Sequence, residues 1–169
     1  MVRLEHHETL GSFFLNHPPA RRFRVEVANA EHPLTRGLPA SFEVEDELYL
    51  IEVLDPGASE VLLTTQLPKD PSPSGFGFHY ERDTSLLPDG STRVLGYTRP
   101  VGRGAVTYIS LGHCHCPATN IQPFVDPSVE KSGKTPLEFR GPWETKPFER
   151  LLRNGIDWGL ESREPLASG

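Results

Sequence analysis

The sequence is poor in cysteine, and its two cysteines, Cys114 and Cys116, lie only two positions apart. Two cysteines are too few for the disulfide framework of a small secreted protein, and a bridge between such near neighbours would be strained. No apolar run approaches the ~20 residues that span a bilayer, and residues 1–8 lack the apolar core of a signal peptide. These absences predict a cytoplasmic protein that does not enter a membrane.

Positive charge is also scarce, because 17 Lys and Arg residues stand against 23 Asp and Glu residues, for a formal net charge of -6. Such a balance gives no electrostatic footprint for DNA, RNA or an anionic membrane, so we expect none of these partners. A length of 169 residues suffices for one domain with a real core. We expect residues 1–162 to form this domain and residues 163–169 to be a C-terminal tail.

Strand patterns account for much of the chain. Alternation of apolar and charged residues over 23–27 predicts a half-exposed strand, and residues 42–51 and 61–65 are also expected to be extended. Two further β-rich runs lie within residues 93–111 and are joined by the Gly-rich turn 102–104. They predict an antiparallel β-hairpin.

Two segments predict helix. Leu10, Phe13 and Phe14 can form the apolar side of one short helical turn. Near the end of the chain, Thr145 can cap a helix whose apolar face has helical spacing. The residues of that face are Phe148, Leu151, Leu152 and Ile156.

Between these elements lie two long connections. Residues 66–92 are rich in Pro, Ser, Gly and Asp, and residues 117–146 have little periodicity. Loops of this length are often lids over a site, and the alternative is a mobile surface loop.

A cluster of metal-binding residue types follows the second hairpin strand, in the sequence His113-Cys114-His115-Cys116. In an extended chain the two histidines share one face and the two cysteines the other. A structural zinc site usually needs a second pair of ligands, and the sequence has no second cysteine pair. The cysteines are therefore expected to be bystanders.

A catalytic metal site of two or three histidines and a carboxylate is more plausible. Asp46 and Glu47 directly precede the apolar run 48–51, so at least one of them should face the interior, where a carboxylate needs a cation, a metal or donors. Glu47 is our preferred acid. A Zn, Mn or Fe ion could be held by His113 and Glu47 with a further histidine drawn from His17, His32, His79 and His115. The alternative is that Asp46 and Glu47 are a solvated pair and that the histidines are structural or surface residues.

Other chemistries find little support. The sequence has no Gly-x-Ser-x-Gly elbow for a nucleophile, and residues 102–104 lack the longer glycine pattern of a phosphate loop.

Five motifs carry a resemblance to a known family. In chain order they are residues 32–39 (HPLTRGLP), 46–49 (DELY), 97–106 (YTRPVGRGAV), 111–113 (LGH) and 147–158 (PFERLLRNGIDW). Together they resemble the ThuA-like (trehalose utilisation) family of the class I glutamine amidotransferase-like superfamily.

The resemblance implies an α/β, flavodoxin-like three-layer sandwich. The first half of the doubly wound sheet has no counterpart in these residues, so we expect a partial ThuA-like domain with a mixed sheet, the hairpin around 93–111 and the C-terminal amphipathic helix.

The resemblance also implies a role in disaccharide or keto-sugar metabolism, in which metal-assisted catalysis on a sugar is one expectation. It places Glu47 and His113 at the family's site positions, with Tyr49 and Arg99 helping to position hydroxyls. The predicted metal ligands are then His17, Glu47, His113 and His115. The alternative is a non-catalytic module that forms a homodimer or docks on a partner chain through an open sheet edge.

Overall fold

The computed structural model describes residues 4–73, 79–119 and 122–161. The elements are α1 Glu5–Leu10, β1 Ser12–Asn16, β2 Arg21–Val27, β3 Ser41–Asp46, β4 Leu50–Val53, β5 Glu60–Gln66, β6 Thr92–Val101, β7 Gly104–Ile109, a 3-10 turn Gly141–Glu144 and α2 Lys146–Glu161.

Five strands form the main sheet in the order β3-β2-β5-β6-β7, and every pairing in it is antiparallel. The hairpin expected around 93–111 is confirmed as β6 and β7, which pair from Gly96 with Ile109 to Val101 with Gly104. The expectation of a mixed sheet is wrong for the described residues, because every strand pairing among them is antiparallel. A three-layer, flavodoxin-like arrangement is not confirmed.

A second, two-stranded sheet pairs β1 with β4, again antiparallel. The short helical turn expected at residues 10–14 is therefore only half right. Helix α1 ends at Leu10, Gly11 takes a left-handed conformation with φ 81°, and Phe13 and Phe14 lie in β1. A glycine at this position ends the helix without the steric cost that a Cβ would bring.

The core lies between the main sheet and α2. Alternate residues of β2 point inward, so that Phe23 and Val25 are buried whereas Arg22 and Arg24 are exposed. Phe148 and Leu151 bring the apolar face of α2 into the same core. The predicted C-terminal helix is confirmed, but its apolar residues Leu152 and Ile156 and the more distal Leu160 stay exposed.

Both long connections contain short hydrogen-bonded pieces. In the first, Asp83 forms an ion pair of 2.8 Å with Arg93, a fully buried residue of β6. In the second, residue 115 forms an antiparallel bridge with residue 139, so this connection folds back towards the end of β7. The tail predicted at 163–169 lies outside the described residues. No helix within the described part of the chain is long and apolar enough to cross a membrane.

Candidate functional site

Glu47 and His113 meet although 66 positions separate them in the sequence. Glu47 follows the last residue of β3 and is 5% exposed, and His113 lies shortly after β7. The distance from Glu47 Oε2 to His113 Nδ1 is 3.2 Å. A buried carboxylate thus has a partner that stabilises its charge, as burial requires.

His17 completes a three-residue contact from the opposite side. It follows the last residue of β1, and its Nδ1 lies 3.5 Å from Glu47 Oε1 and 3.2 Å from the carbonyl oxygen of Pro18. Both neighbours are acceptors, so Nδ1 of His17 carries a proton. Each oxygen of Glu47 therefore faces a different histidine.

Asp46 anchors the backbone of this site. Its Oδ1 accepts the N–H groups of Glu47 at 2.8 Å and of His113 at 2.9 Å, and its Oδ2 accepts the N–H of Gly112 at 2.7 Å. Burial raises the pKa of Asp46 to about 6, although these three donors act in the opposite direction. The fully buried side chain thus ties β3 to the loop after β7.

His115 extends the contacts beyond His113. Its Nδ1 lies 3.3 Å from His113 Nε2, and its own Nε2 lies 2.9 Å from the carbonyl oxygen of Pro136. The ring is 7% exposed and stacks on the ring of Phe139 at 5.6 Å. The two histidines share one face, as the alternation of an extended chain predicts.

Charge within the cluster shifts two pKa values upward. The hydrogen bond with Glu47 is the main cause that raises the pKa of His113, with the charges of Glu47 and Asp46 acting in the same direction. Burial, the charge of Glu47 and a hydrogen bond to it raise the pKa of Tyr49 to about 12. The Tyr49 ring lies 5.8 Å from the ring of His17. Tyr49 therefore keeps its proton at neutral pH.

The remaining sequence candidates lie elsewhere. Nη1 of Arg99 donates to the carbonyl of Glu8 at 2.8 Å, and none of the contacts described for Arg99 reaches Glu47 or His113. Cys114 and Cys116 are exposed and unbridged.

The metal expected from the sequence does not fit these side chains as they are placed. Among the described residues, no three His, Cys, Asp or Glu side chains are grouped so that they could hold a metal ion. The atoms of Glu47 and His113 that could bind a metal point at each other, and the second ring nitrogen of His113 points at His115. The Zn, Mn or Fe ion stays a prediction.

A cavity of about 740 Å³ adjoins the cluster through Phe14, although the described residues that line it include none of Glu47, His17, Tyr49 and His113. The ring of Phe14 lines this cavity and also lies 5.1 Å from the ring of Tyr49 and 6.0 Å from that of His17. Phe13 and Tyr80 add further aromatic surface. Such a volume falls within the range of small-molecule sites.

A family model described as ThuA, trehalose utilisation, matches residues 3–122, which is more than half of the chain. The chain belongs to the ThuA family. The matched range contains the DELY segment with Glu47 and the LGH segment with His113. No curated protein gives a significant match.

Two solved structures resemble the fold of this ThuA-family chain. One is a ThuA-like protein from Bacteroides uniformis ATCC 8492, with 22% identity, a TM-score of 0.53, and coverage of 90% of this chain and 49% of that one. The other is a ThuA-like protein from Parabacteroides merdae ATCC 43184, with 17% identity, a TM-score of 0.50, and coverage of 94% and 43%. The chain therefore spans less than half the length of either structure.

Proposed function

We propose that this ThuA-family chain supplies the acid–base centre of an enzyme that acts on a disaccharide or keto-sugar. The observation that carries the proposal is the buried Glu47 carboxylate, whose two oxygens lie 3.5 Å from His17 Nδ1 and 3.2 Å from His113 Nδ1. A carboxylate positioned in this way can act as a general base towards a substrate hydroxyl.

Glu47 Oε1 is the oxygen that a substrate hydroxyl would meet. It is held by the longer of the two histidine contacts, 3.5 Å against 3.2 Å, and the side chains of both histidines are 21% exposed whereas that of Glu47 is 6% exposed. A hydroxyl that entered beside His17 would displace the weaker contact. His113 would keep its contact with Glu47 Oε2 and hold the carboxylate in place while Oε1 accepts the proton of the hydroxyl.

The neighbouring cavity supports a sugar as substrate. Its aromatic walls, Phe13, Phe14 and Tyr80, offer flat apolar surface, while Glu52 and Arg82 at its boundary offer polar groups. Sugars present apolar ring faces and polar edges, so a site with both kinds of surface suits them. The trehalose utilisation description of the family gives the first substrates to test.

The test is turnover of trehalose, other disaccharides and their keto forms, followed by product analysis, for the wild type and Glu47→Gln. Loss of an acid–base group should lower turnover by about 10²–10⁴-fold. His6→Gln is the matched control, because His6 is exposed on α1. Equal turnover by wild type and Glu47→Gln would refute the proposal, and so would the absence of turnover on every sugar.

Metal dependence is tested separately. Elemental analysis of the purified chain, with and without prior dialysis against a chelator, measures whether Zn, Mn or Fe is bound. A stoichiometric metal that is lost in His113→Ala would establish the metal-assisted form of the proposal.

A non-catalytic docking module is the second candidate, and two observations favour it. Within the described ranges β3 and β7 are the end strands of the main sheet, and Ile156 and Leu160 are 65% and 63% exposed on α2. End strands and exposed apolar residues favour pairing with another chain. Sedimentation at micromolar concentration decides, since a stable monomer would contradict homodimer formation and a dimer would support it.

A further inference from the structure

One irregular segment of the first long connection, residues 79–84, forms part of the wall of the cavity. Every residue of this wall segment except Asp83 lines the cavity. The segment is neither helix nor strand, yet hydrogen bonds tie it to three different strands, β1, β4 and β6. Such a segment is held by its side chains, so each of these contacts sets the shape of the cavity.

The first contact holds Tyr80. Its hydroxyl donates to Oδ2 of Asp70 at 2.6 Å, and the same oxygen accepts Nδ2 of Asn16, the last residue of β1, at 2.9 Å. Burial and the hydrogen bond to Asp70 raise the pKa of Tyr80, so the hydroxyl keeps its proton for this contact. The ring is therefore fixed at its polar end, and the rest of the ring serves as apolar wall.

Two further contacts hold the end of the wall segment. Nη1 and Nη2 of Arg93 donate to the two carboxylate oxygens of Asp83 at 3.0 and 2.8 Å, and the Arg93 side chain is 0% exposed. A buried arginine keeps such a partner because an unpaired buried charge is costly. In addition, Thr84 Oγ1 donates to Glu52 Oε2 at 2.8 Å. The wall thus has its shape before any ligand enters.

Phe14 relates the cavity to the acid–base cluster. It lines the cavity, and its ring lies 5.1 Å from the ring of Tyr49 and 6.0 Å from that of His17. A ligand in the cavity is therefore next to the cluster, but it does not meet Glu47 itself. A fixed aromatic ring such as Tyr80 is a suitable surface for the apolar face of a sugar ring.

We propose that the cavity is a subsite for the part of the sugar that does not react, that Tyr80 is its stacking surface, and that Asp70 is a positioning residue that holds Tyr80. The inference rests on the proposed function for the class of substrate. Because the wall is already in place, binding does not have to order it, which lowers the entropic cost of association. Asp70 does not touch the sugar and acts only through Tyr80.

The experiment is isothermal titration calorimetry of the full chain with trehalose, sucrose, maltose and glucose. Tyr80→Ala removes the stacking surface and should raise the Kd about tenfold or more. Tyr80→Phe keeps the ring but loses its hydrogen bond to Asp70, so it should raise the Kd about threefold. Phe124→Ala is the matched control, because Phe124 is 37% exposed and does not line the cavity, and it should leave the Kd unchanged.

A double-mutant cycle tests the positioning role of Asp70. Asp70→Ala removes the acceptor of the Tyr80 hydroxyl and should also raise the Kd about threefold. In the background of Tyr80→Phe the same change should have little further effect on the Kd, because the contact is already lost. An equal effect of Asp70→Ala in both backgrounds would contradict positioning through Tyr80. Urea unfolding of each variant shows that it is folded.

Two results would overturn the subsite itself. They are the same Kd for wild type and Tyr80→Ala, and the absence of binding of all four sugars by the wild type. Glu47→Gln should bind with the wild-type Kd, because Glu47 does not line the cavity. Since binding is measured without turnover, a failure of the subsite is distinct from a failure of the proposed acid–base chemistry.

Discussion

Gly141→Ala should disturb the site through the backbone of His113. Gly141 has φ 54°, a left-handed conformation, and a Cβ built on it would overlap the carbonyl oxygen of His113 and lie 3.3 Å from the carbonyl oxygen of Glu45. The conformation alone costs an alanine about 1–2 kcal/mol. Relieving an overlap with rigid backbone costs about 1–3 kcal/mol more, so we expect a total loss of about 2–5 kcal/mol.

Gly102→Ala is the matched control for this prediction. Gly102 has nearly the same φ, 57°, but nothing lies within 4 Å of its ideal Cβ, so only the conformational cost of about 1–2 kcal/mol applies. Urea unfolding followed by the fluorescence of Trp143 and Trp158 measures both variants. Histidine NMR should give altered His113 signals in Gly141→Ala alone. Equal stability of the two variants, with unchanged His113 signals, would refute the reasoning.

Three further predictions concern the core, one motif and pH. Phe148→Ala should lower the free energy of unfolding by about 3–5 kcal/mol, because the Phe148 ring is 2% exposed. Leu152→Ala on the same helix should lower it by about 1 kcal/mol or less, because Leu152 is 38% exposed. Equal losses in the two variants would contradict this prediction. Asn154→Ala removes the hydrogen bonds of 3.0 and 2.9 Å that the Asn154 side chain donates to the carbonyls of residues 34 and 36, and it should lower the free energy of unfolding by about 2 kcal/mol. Arg153→Ala should lower it by about 0.5 kcal/mol, because the Arg153 side chain is 72% exposed. Urea titrations in which Arg153→Ala loses more unfolding free energy than Asn154→Ala would contradict this prediction. Because the folded-state pKa of His113 is raised above 6.5, its stabilising contribution is complete below about pH 6.5 and is lost as pH rises through the folded value. The stability difference between wild type and His113→Gln should therefore shrink from pH 6 to pH 9, and a difference that grows would contradict the sign.

Local patterns predicted several of the elements. Residues 23–27 lie in β2, residues 61–65 lie in β5, and the Gly-rich turn at 102–104 joins β6 and β7. The capping Thr145 precedes α2, and its Oγ1 accepts the N–H of Phe148 at 3.4 Å. In β2 and α2 the local preference and the burial of one face agree.

The first strand was not predictable in the same way. The spacing of Leu10, Phe13 and Phe14 fits a helical face, but these residues belong to two elements that Gly11 separates. Pairing with β4, at residues 50–53, decides the conformation of β1, and such a distant partner has no local signal. The prediction of a mixed sheet was wrong because it came from the family fold and not from the residues of this chain.

The contact between Glu47 and His113 was predictable in part, because burial of a carboxylate requires a partner. This argument selected Glu47, and the position of His113 just after a predicted strand selected the histidine. Asp46 was weighed only as an alternative to Glu47, whereas it anchors the backbone of both residues. The Pro136 carbonyl has no sequence signal, because every residue has such a group and only the fold decides which one faces His115.

The most direct test of the central claim, that Glu47 and His113 act as one acid–base pair, is an NMR pH titration of His113 in wild type and Glu47→Gln. Glu47 is the main cause of the raised pKa of His113, so the pKa of His113 in the wild type should lie above 6.5. In Glu47→Gln the pKa of His113 should fall clearly below the wild-type value. Equal pKa values in the two proteins would contradict the pairing and the function proposed from it.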